Sequence, residues 1–223
     1  MARERVEGLY FLADAADAAT APLAAEAGFR LVDVRVTLEG DVAAGRARLP
    51  RRPARTADPV RVLQAVAADL PELRRIAAAS HHDSRFYYDP HFDDGRRDEL
   101  YATWIETSCG DQAGAVLVAA ASGRVCGYIT ATVAPGGEGR IGLFAVDAAA
   151  QGRGVGGELI AAAFDWFAGR GAGMVSVVTQ GRNVRAQRLY QRFGMLTRSL
   201  ELWYHLWVEP AAGEGSSAGG PDR

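Results

Sequence analysis

From residue 60 onward, the apolar positions of the chain fall into two alternating periods. Runs that are continuously apolar, or apolar at every second place, over 60–63, 115–120, 124–133, 140–146, 174–178 and 195–207, predict strands. Between them, 69–77, 94–107, 156–167 and 183–193 read as helices. Asp69 is placed to cap the first of these helices, with Pro71 in its first turn. In the second, Leu100, Tyr101, Trp104 and Ile105 form one stripe that faces a core. Ser122-Gly123 and Pro135-Gly136-Gly137 are turn signals, which makes 115–146 an antiparallel meander of three strands. Residues 46–58, rich in Arg, Pro and Ala, read as a linker, and the Gly, Ser and Ala tail from Pro210 has no period and is expected to be disordered.

The first fifty residues carry an echo of the last fifty. Without a gap, Leu9-Tyr-Phe-Leu aligns with Val175-Ser-Val-Val, Asp17 with Asn183, Leu23 with Leu189, Gly28 with Gly194, and Val34-Arg-Val-Thr-Leu with Leu200-Glu-Leu-Trp-Tyr. Both segments read strand, helix, Gly, strand. Two explanations stand side by side: a degenerate half-copy that packs beside the complete domain, or the common look of any strand-helix-strand unit. Ala24 stands where the second segment has Tyr190, and the first half has no glycine-rich loop, so it is expected not to be catalytic. The expected layout is a small N-terminal α/β subdomain over 1–45, a linker over 46–58, the main domain over 59–207 and a tail over 208–223.

Composition narrows the function classes. Apolar residues are 48% and charged residues 23% of the 223, and no window nears the run of about 18 apolar residues that crosses a bilayer, so a soluble protein is expected. A net charge of −2 gives no reason to expect nucleic acid or an anionic membrane as partner. The start, with acidic residues among basic ones and no apolar stretch behind them, does not read as a secretory signal, and a cytoplasmic location is expected. Cys109 and Cys126 form no CxxC and no histidine stands at ligand spacing, so no metal is expected. All basic side chains apart from histidine are Arg, which suits bidentate phosphate contacts and also fits GC-rich coding.

The chemistry concentrates in Phe144-Ala-Val-Asp-Ala-Ala-Ala-Gln-Gly-Arg-Gly-Val-Gly-Gly-Glu-Leu, where a strand enters a helix through a glycine-rich loop. Gly152, Gly154, Gly156 and Gly157 let the main chain approach a ligand, consecutive N–H groups and the helix N-terminus attract a pyrophosphate, and Arg153 adds a charge. Neither GKS nor GKT follows, and the strand ends an antiparallel meander instead of opening a βαβ unit. Gln151-Gly-Arg-Gly-Val-Gly resembles the Q/R-x-x-G-x-G/A signature of the GNAT acetyltransferases, and Asn183, Tyr190 and Phe193-Gly194 resemble that family's next helix; the likeness spans about 58–207. The resemblance implies an α/β GNAT fold: a mixed, mostly antiparallel, splayed sheet with helices on both faces, plus the N-terminal subdomain. It implies acetyl-CoA as co-substrate, held by Phe144, Ala145, Val146, Gln151, Gly152, Arg153, Gly154, Val155, Gly156, Gly157 and Asn183. The strand over 143–146 should part from its neighbour at a bulge, and Tyr190 matches the family's general acid.

A narrower likeness joins Ser84-Arg-Phe-Tyr-Tyr-Asp-Pro-His-Phe, Tyr101-Ala-Thr-Trp-Ile-Glu, Val178-Thr-Gln and Arg188-Leu-Tyr. Together these blocks resemble the TDP-fucosamine acetyltransferases, whose acceptor is the 4-amino group of a TDP-4-amino-4,6-dideoxyhexose and which also carry a small N-terminal domain. On this resemblance Arg85, Tyr87, Tyr101, Trp104, Thr179 and Gln180 are expected at the acceptor. Other acceptors, an aminoglycoside-like compound or a peptide N-terminus, stay open, as does a non-catalytic acyl-CoA sensor. His81, His82, Asp83 and Glu138 are candidate bases by type alone and are expected to be solvent-exposed; an amine of pKa near about 8 is partly neutral at pH 7 and needs no strong base. The family often dimerises through its last strands, and the alternating apolar residues of 200–207 suit a homodimer.

Overall fold

The structure, a computed structural model, describes residues 6–48, 59–111 and 114–208. Its elements run β1 (Gly8–Asp14), α1 (Thr20–Glu26), β2 (Arg30–Asp41), α2 (Val42–Ala47), β3 (Arg61–Gln64), α3 (Leu70–Ala78), α4 (Arg85–Tyr88), α5 (Asp94–Gly110), β4 (Gly114–Ala121), β5 (Arg124–Val133), β6 (Gly139–Val146), α6 (Val155–Gly169), β7 (Met174–Gln180), α7 (Val184–Arg192) and β8 (Leu196–Trp207). The turns explain the boundaries. Ser122 and Gly123 both take positive φ, +50° and +75°, as a two-residue hairpin between β4 and β5 requires. Asp69 does not cap α3; its carboxylate accepts the N–H of Val66 at 2.9 Å and closes a 3₁₀ turn before the helix. The expected linker begins inside α2, whose cap is Asp41 accepting from Ala44 N–H, and the remainder of that linker and the predicted disordered tail lie outside the described residues.

All eight strands form one sheet in the order β1-β8-β2-β7-β6-β5-β4-β3, antiparallel throughout except between β6 and β7. Of the expected N-terminal subdomain, the described residues 6–45 supply β1, α1, β2 and the start of α2, and both strands join the one sheet. β2 lies between β7 and β8, and its middle is covered on both faces: the successive residues Val36, Thr37 and Leu38 are all buried. β8 has β1 beside residues 201–207 and β2 beside residues 196–205.

The echo in the sequence is a symmetry of this sheet. Gly8 pairs with Trp207 as Met174 pairs with Asp41, and Asp14 pairs with Glu201 as Gln180 pairs with Arg35. The ladder between β2 and β8 maps onto itself, with Val34 opposite Leu202 and Val36 opposite Leu200. Arg35 and Glu201 face one another where the pseudo-two-fold axis passes, and Arg35 Nη1 donates to Glu201 Oε2 at 2.6 Å. The helices agree: Gly28 and Gly194 end α1 and α7 with φ of +83° and +81°, a conformation that glycine adopts without strain.

Helices cover both faces. On one, α6, α7 and α2 bury Leu159, Phe164, Phe167, Phe193 and Val42 against Leu38, Ile129, Ile141 and Val177. On the other, α3 and α5 bury Leu73, Ile76 and Ile105 against Val116, Val118, Tyr128, Leu143 and Ala145. Ile141 and Leu143 should share a face, yet they lie on opposite ones. The reason is a bulge: Ile129 and Ala131 of β5 pair with Phe144 and Ile141, three steps on β6 against two on β5. Leu143 N–H donates to Thr130 Oγ1 at 2.8 Å, and a Cβ on Gly142 would come within 2.6 Å of that oxygen.

Removal of residues 1–48 should leave no cooperatively folded protein, because it strips β2 from between β7 and β8 and removes Val36, Leu38 and Val42 from the core. Three such side chains contribute about 1.5–3 kcal/mol each against a net stability of about 5–15 kcal/mol. Thermal unfolding followed by circular dichroism tests this, and a sharp transition in the truncated chain would mark the segment as dispensable.

Candidate active site

The loop between β6 and α6 is built to leave main-chain donors open. Gly152 and Gly154 have φ of +78° and +83°, and Gly154 is the N-cap of α6 with no side-chain cap. In α6 the first amides to find acceptors are Gly157 and Glu158, both on Gly154 O, at 2.9 and 3.2 Å. The N–H groups of residues 152–156 have no acceptor among the described residues. Five successive free amides at the head of a fifteen-residue helix make an anion cradle. Gln151 fixes the cradle to its surroundings: its Nε2 donates to Val146 O at 3.0 Å, and Arg185 donates to its Oε1. Gly156 lets α6 close on its neighbours, since a Cβ there would meet Leu189 at 3.1 Å and Phe144 at 3.2 Å. Asn183, expected to touch the cofactor, caps α7 by accepting from Ala186 N–H at 3.0 Å while also lining the cleft.

Beyond the bulge, β6 and β7 part. Their ladder ends at Ile141 opposite Val177, and a cleft of about 1440 Å³ opens between 142–146 on one side and 178–180 on the other. This is larger than the roughly 300–1,000 Å³ of a site for one small molecule, so it can hold two reactants. The glycine-rich loop lines one end. Tyr190 lines the cleft beside Phe144, with ring centroids 6.1 Å apart, and is 3% exposed. Burial alone pushes its phenol well above the ordinary value, which keeps it protonated, and its hydroxyl has no hydrogen-bond partner among the described residues.

The other end of the cleft is aromatic and charged. Arg85, Tyr101, Trp104, Val178, Thr179 and Gln180 line it, as do Asp33, Arg35 and Trp203. The guanidinium of Arg85 lies 4.1 Å from the ring centroid of Trp203 and 4.3 Å from that of Phe86, and its Nε is buried without a partner. Asp33 is 4% exposed; desolvation raises its carboxyl to about 6, against the opposing pull of Arg182, 3.7 Å away, and of main-chain amides. Tyr87 is not at the cleft: its hydroxyl donates to Asp98 at 2.6 Å and its ring packs on His82 and Arg97. Arg153 also lies outside the cleft lining, on the exposed side of the loop. Of the candidate bases, His82 is exposed, Asp83 lines the cleft, and Glu138 is held by Arg198 at 3.2 Å and Arg140 at 3.5 Å. His81, expected at the surface, is instead half-buried, and its Nε2 lies 3.0 Å from the Tyr128 hydroxyl. Asp33, Arg35 and Trp203 escaped the sequence reading; a charge inside the apolar run Leu31-Val-Asp-Val was the available signal.

A buried carboxylate anchors the loop that carries Arg85. Asp89 accepts from His205 Nδ1 at 2.6 Å, Trp207 Nε1 at 2.8 Å, His91 Nδ1 at 2.8 Å and His91 N–H at 3.1 Å, tying that loop to β8. Desolvation works to raise its pKa, but the hydrogen bonds outweigh this and hold the group well below the usual carboxylate range.

The model of the acetyltransferase (GNAT) family matches residues 73–195, more than half of the chain and including the loop, the bulge and Tyr190. The chain belongs to the GNAT acetyltransferases. This acetyltransferase is 32% identical over 139 residues to the dTDP-fucosamine acetyltransferase of Escherichia coli, across 61% of this chain and 59% of that protein. It is 28% identical over 139 residues to the spore coat polysaccharide biosynthesis protein SpsD of Bacillus subtilis, across 62% of this chain and 48% of that one. It thus spans about half to three fifths of the length of these curated relatives. A GCN5-related N-acetyltransferase from Sphaerobacter thermophilus shares the fold of this GNAT chain, with a TM-score of 0.65 at 18% identity over 91% of this chain and 60% of that one.

Two outcomes test the site. Gly154→Ala disfavours the left-handed backbone that holds the amides open by about 1–2 kcal/mol, so the free loop should relax out of it and acetyl-CoA should bind roughly tenfold more weakly by isothermal titration; unchanged affinity with unchanged thermal stability would count against the cradle. Because the pKa of Asp89 is depressed on folding, its contribution to stability is present above about pH 4 and is lost as pH falls further. Asp89→Asn should therefore destabilise the chain by about 2–4 kcal/mol at pH 7 and flatten the acid limb of denaturant-measured stability.

Proposed function

We propose that this chain transfers the acetyl group of acetyl-CoA to a primary amine, by direct attack, and that the amine is the 4-amino group of a TDP-4-amino-4,6-dideoxyhexose. The observation that carries the donor assignment is the run of free amides over 152–156 opening onto the gap between β6 and β7. The pyrophosphate fits the cradle, and an extended thiol arm fits the gap, where main-chain groups of β6 beyond Ile141 have no β7 partner. Bound there, the coenzyme supplies an activated thioester.

The residues of the chain do the rest. The amides of Phe144 and Val146, which alternate with those that Leu143 and Asp147 turn toward β5, face the gap and can polarise a carbonyl there. Tyr190 holds its proton beside Phe144 and delivers it to the departing sulfur. Its raised pKa makes the phenol a weak acid, so the proton moves only as the carbon–sulfur bond breaks. For the acceptor, the E. coli relative is named for dTDP-fucosamine, and the charge of Arg85 and the half-exposed ring of Trp104, both lining the cleft, suit a phosphate-bearing, stackable ligand.

Thiol release from acetyl-CoA, measured over TDP-amino sugars, aminoglycoside-like amines and peptides, tests the acceptor. The TDP-4-amino sugars should give the highest kcat/KM; turnover of peptides alone would sink the sugar assignment, and tight acetyl-CoA binding with no turnover would make the chain an acyl-CoA sensor. Tyr190→Phe should lose about 10²-fold in kcat with acetyl-CoA affinity unchanged, as measured by steady-state kinetics and titration.

A further inference from the structure

The acceptor reaches the thioester as an amine that must lose a proton once it attacks. Of the cleft groups able to take one, Asp33 stands on β2, with β7 between it and β6. The carboxylate is held toward Arg182, 3.7 Å away, on the far side of β7 from the β6 main chain that borders the gap. His81 stands differently. It lines the cleft, and its partner Tyr128 pairs directly with Ala145 of β6, so the imidazole sits over the stretch of β6 that borders the gap. Its ring stacks on Tyr101, with centroids 4.4 Å apart and an interplanar angle of 20°.

We infer that His81 is the general base of the transfer, taking the amine proton at Nδ1 while Tyr128 holds the ring. The inference rests on the acetyltransferase reading above. Nε2 lies 3.0 Å from the Tyr128 hydroxyl, and Nδ1 has no hydrogen-bond partner among the described residues. In the tautomer with Nε2–H donated to the Tyr128 oxygen, Nδ1 presents a lone pair, and protonation there leaves the Tyr128 bond as it was. Burial, with a smaller push from His82, lowers the imidazole to about 4, so the base is unprotonated throughout the neutral range. A base that weak cannot strip a free ammonium ion, but it suits the far more acidic ammonium formed when the nitrogen has added to the carbonyl. Tyr128, whose phenol burial pushes far above the ordinary value, stays neutral beside it.

The balance is complete. The nitrogen lone pair forms the bond to the carbonyl carbon, the N–H proton passes to His81 Nδ1 and on to water, and the sulfur leaves with the bonding pair and receives the Tyr190 proton. The tyrosine regains a proton from solvent.

The test compares His81→Ala and His81→Gln with the unaltered chain, using the TDP-amino sugar or other amine it turns over. His81→Gln keeps a donor for Tyr128 but cannot take a proton. Both variants should bind acetyl-CoA with unchanged affinity, which certifies their fold, and both should lose about 10²-fold in kcat. Added imidazole should restore His81→Ala by about tenfold, as a free base filling the vacated place. A His81→Gln enzyme within about threefold of the unaltered rate, or an imidazole-insensitive His81→Ala, overturns the assignment and leaves the acetyltransferase reading intact. Failure of the unaltered chain to acetylate any amine would remove both together.

Discussion

The hydrogen bond from Leu143 N–H to Thr130 Oγ1 is the constraint on which the rest of this structure depends. By admitting one extra residue into β6, it turns Leu143 and Ala145 to the α3–α5 face and Phe144 and Val146 toward α6, and it ends the ladder with β7 at Ile141. A sheet that would otherwise be continuous acquires a gap with open main-chain groups on its rim. The glycine-rich cradle, Tyr190, His81 and the aromatic end all border that gap. Gly142 is the residue that permits it, since any Cβ there would strike the threonine oxygen.

The halves of the site come from different physical sources. The end where we propose the donor binds is main chain: free amides held by two left-handed glycines and braced by Gln151. The opposite end of the cleft, where we propose the acceptor binds, is walled by side chains from β2, α4, α5, β7 and β8 at once. Asp33 and Arg35 bring the N-terminal strands into the cleft, and the Asp89 network clamps the loop of Arg85 to β8. The segment that has Ala24 in the place of Tyr190 is thereby part of the wall.

Features set by local sequence were legible before the fold was known. The meander, the helices over 69–77, 94–107, 156–167 and 183–193, and the glycine-rich loop follow from periodicity and from neighbours a few residues away. What stayed hidden depends on contacts across the sheet. Residues 1–45 echo a strand-helix-strand unit, yet nothing local says that β2 inserts between β7 and β8 instead of standing apart. His81 looks like a surface histidine until Tyr128, 47 positions away, is brought beneath it, and Tyr87 looks like a ligand contact until Asp98 claims its hydroxyl. The partner of Asp89 lies 116 residues on, at His205.

The pair Arg35 and Glu201 sits where the two related halves of the sheet exchange places. In an assembly of identical chains, a residue at that point would confront its own twin, and two guanidinium groups or two carboxylates would repel. Opposite charges there are open only to halves that differ, so this pair ties the two unlike segments to each other. The same ion pair that closes this chain upon itself would disfavour the equivalent union with a sister molecule.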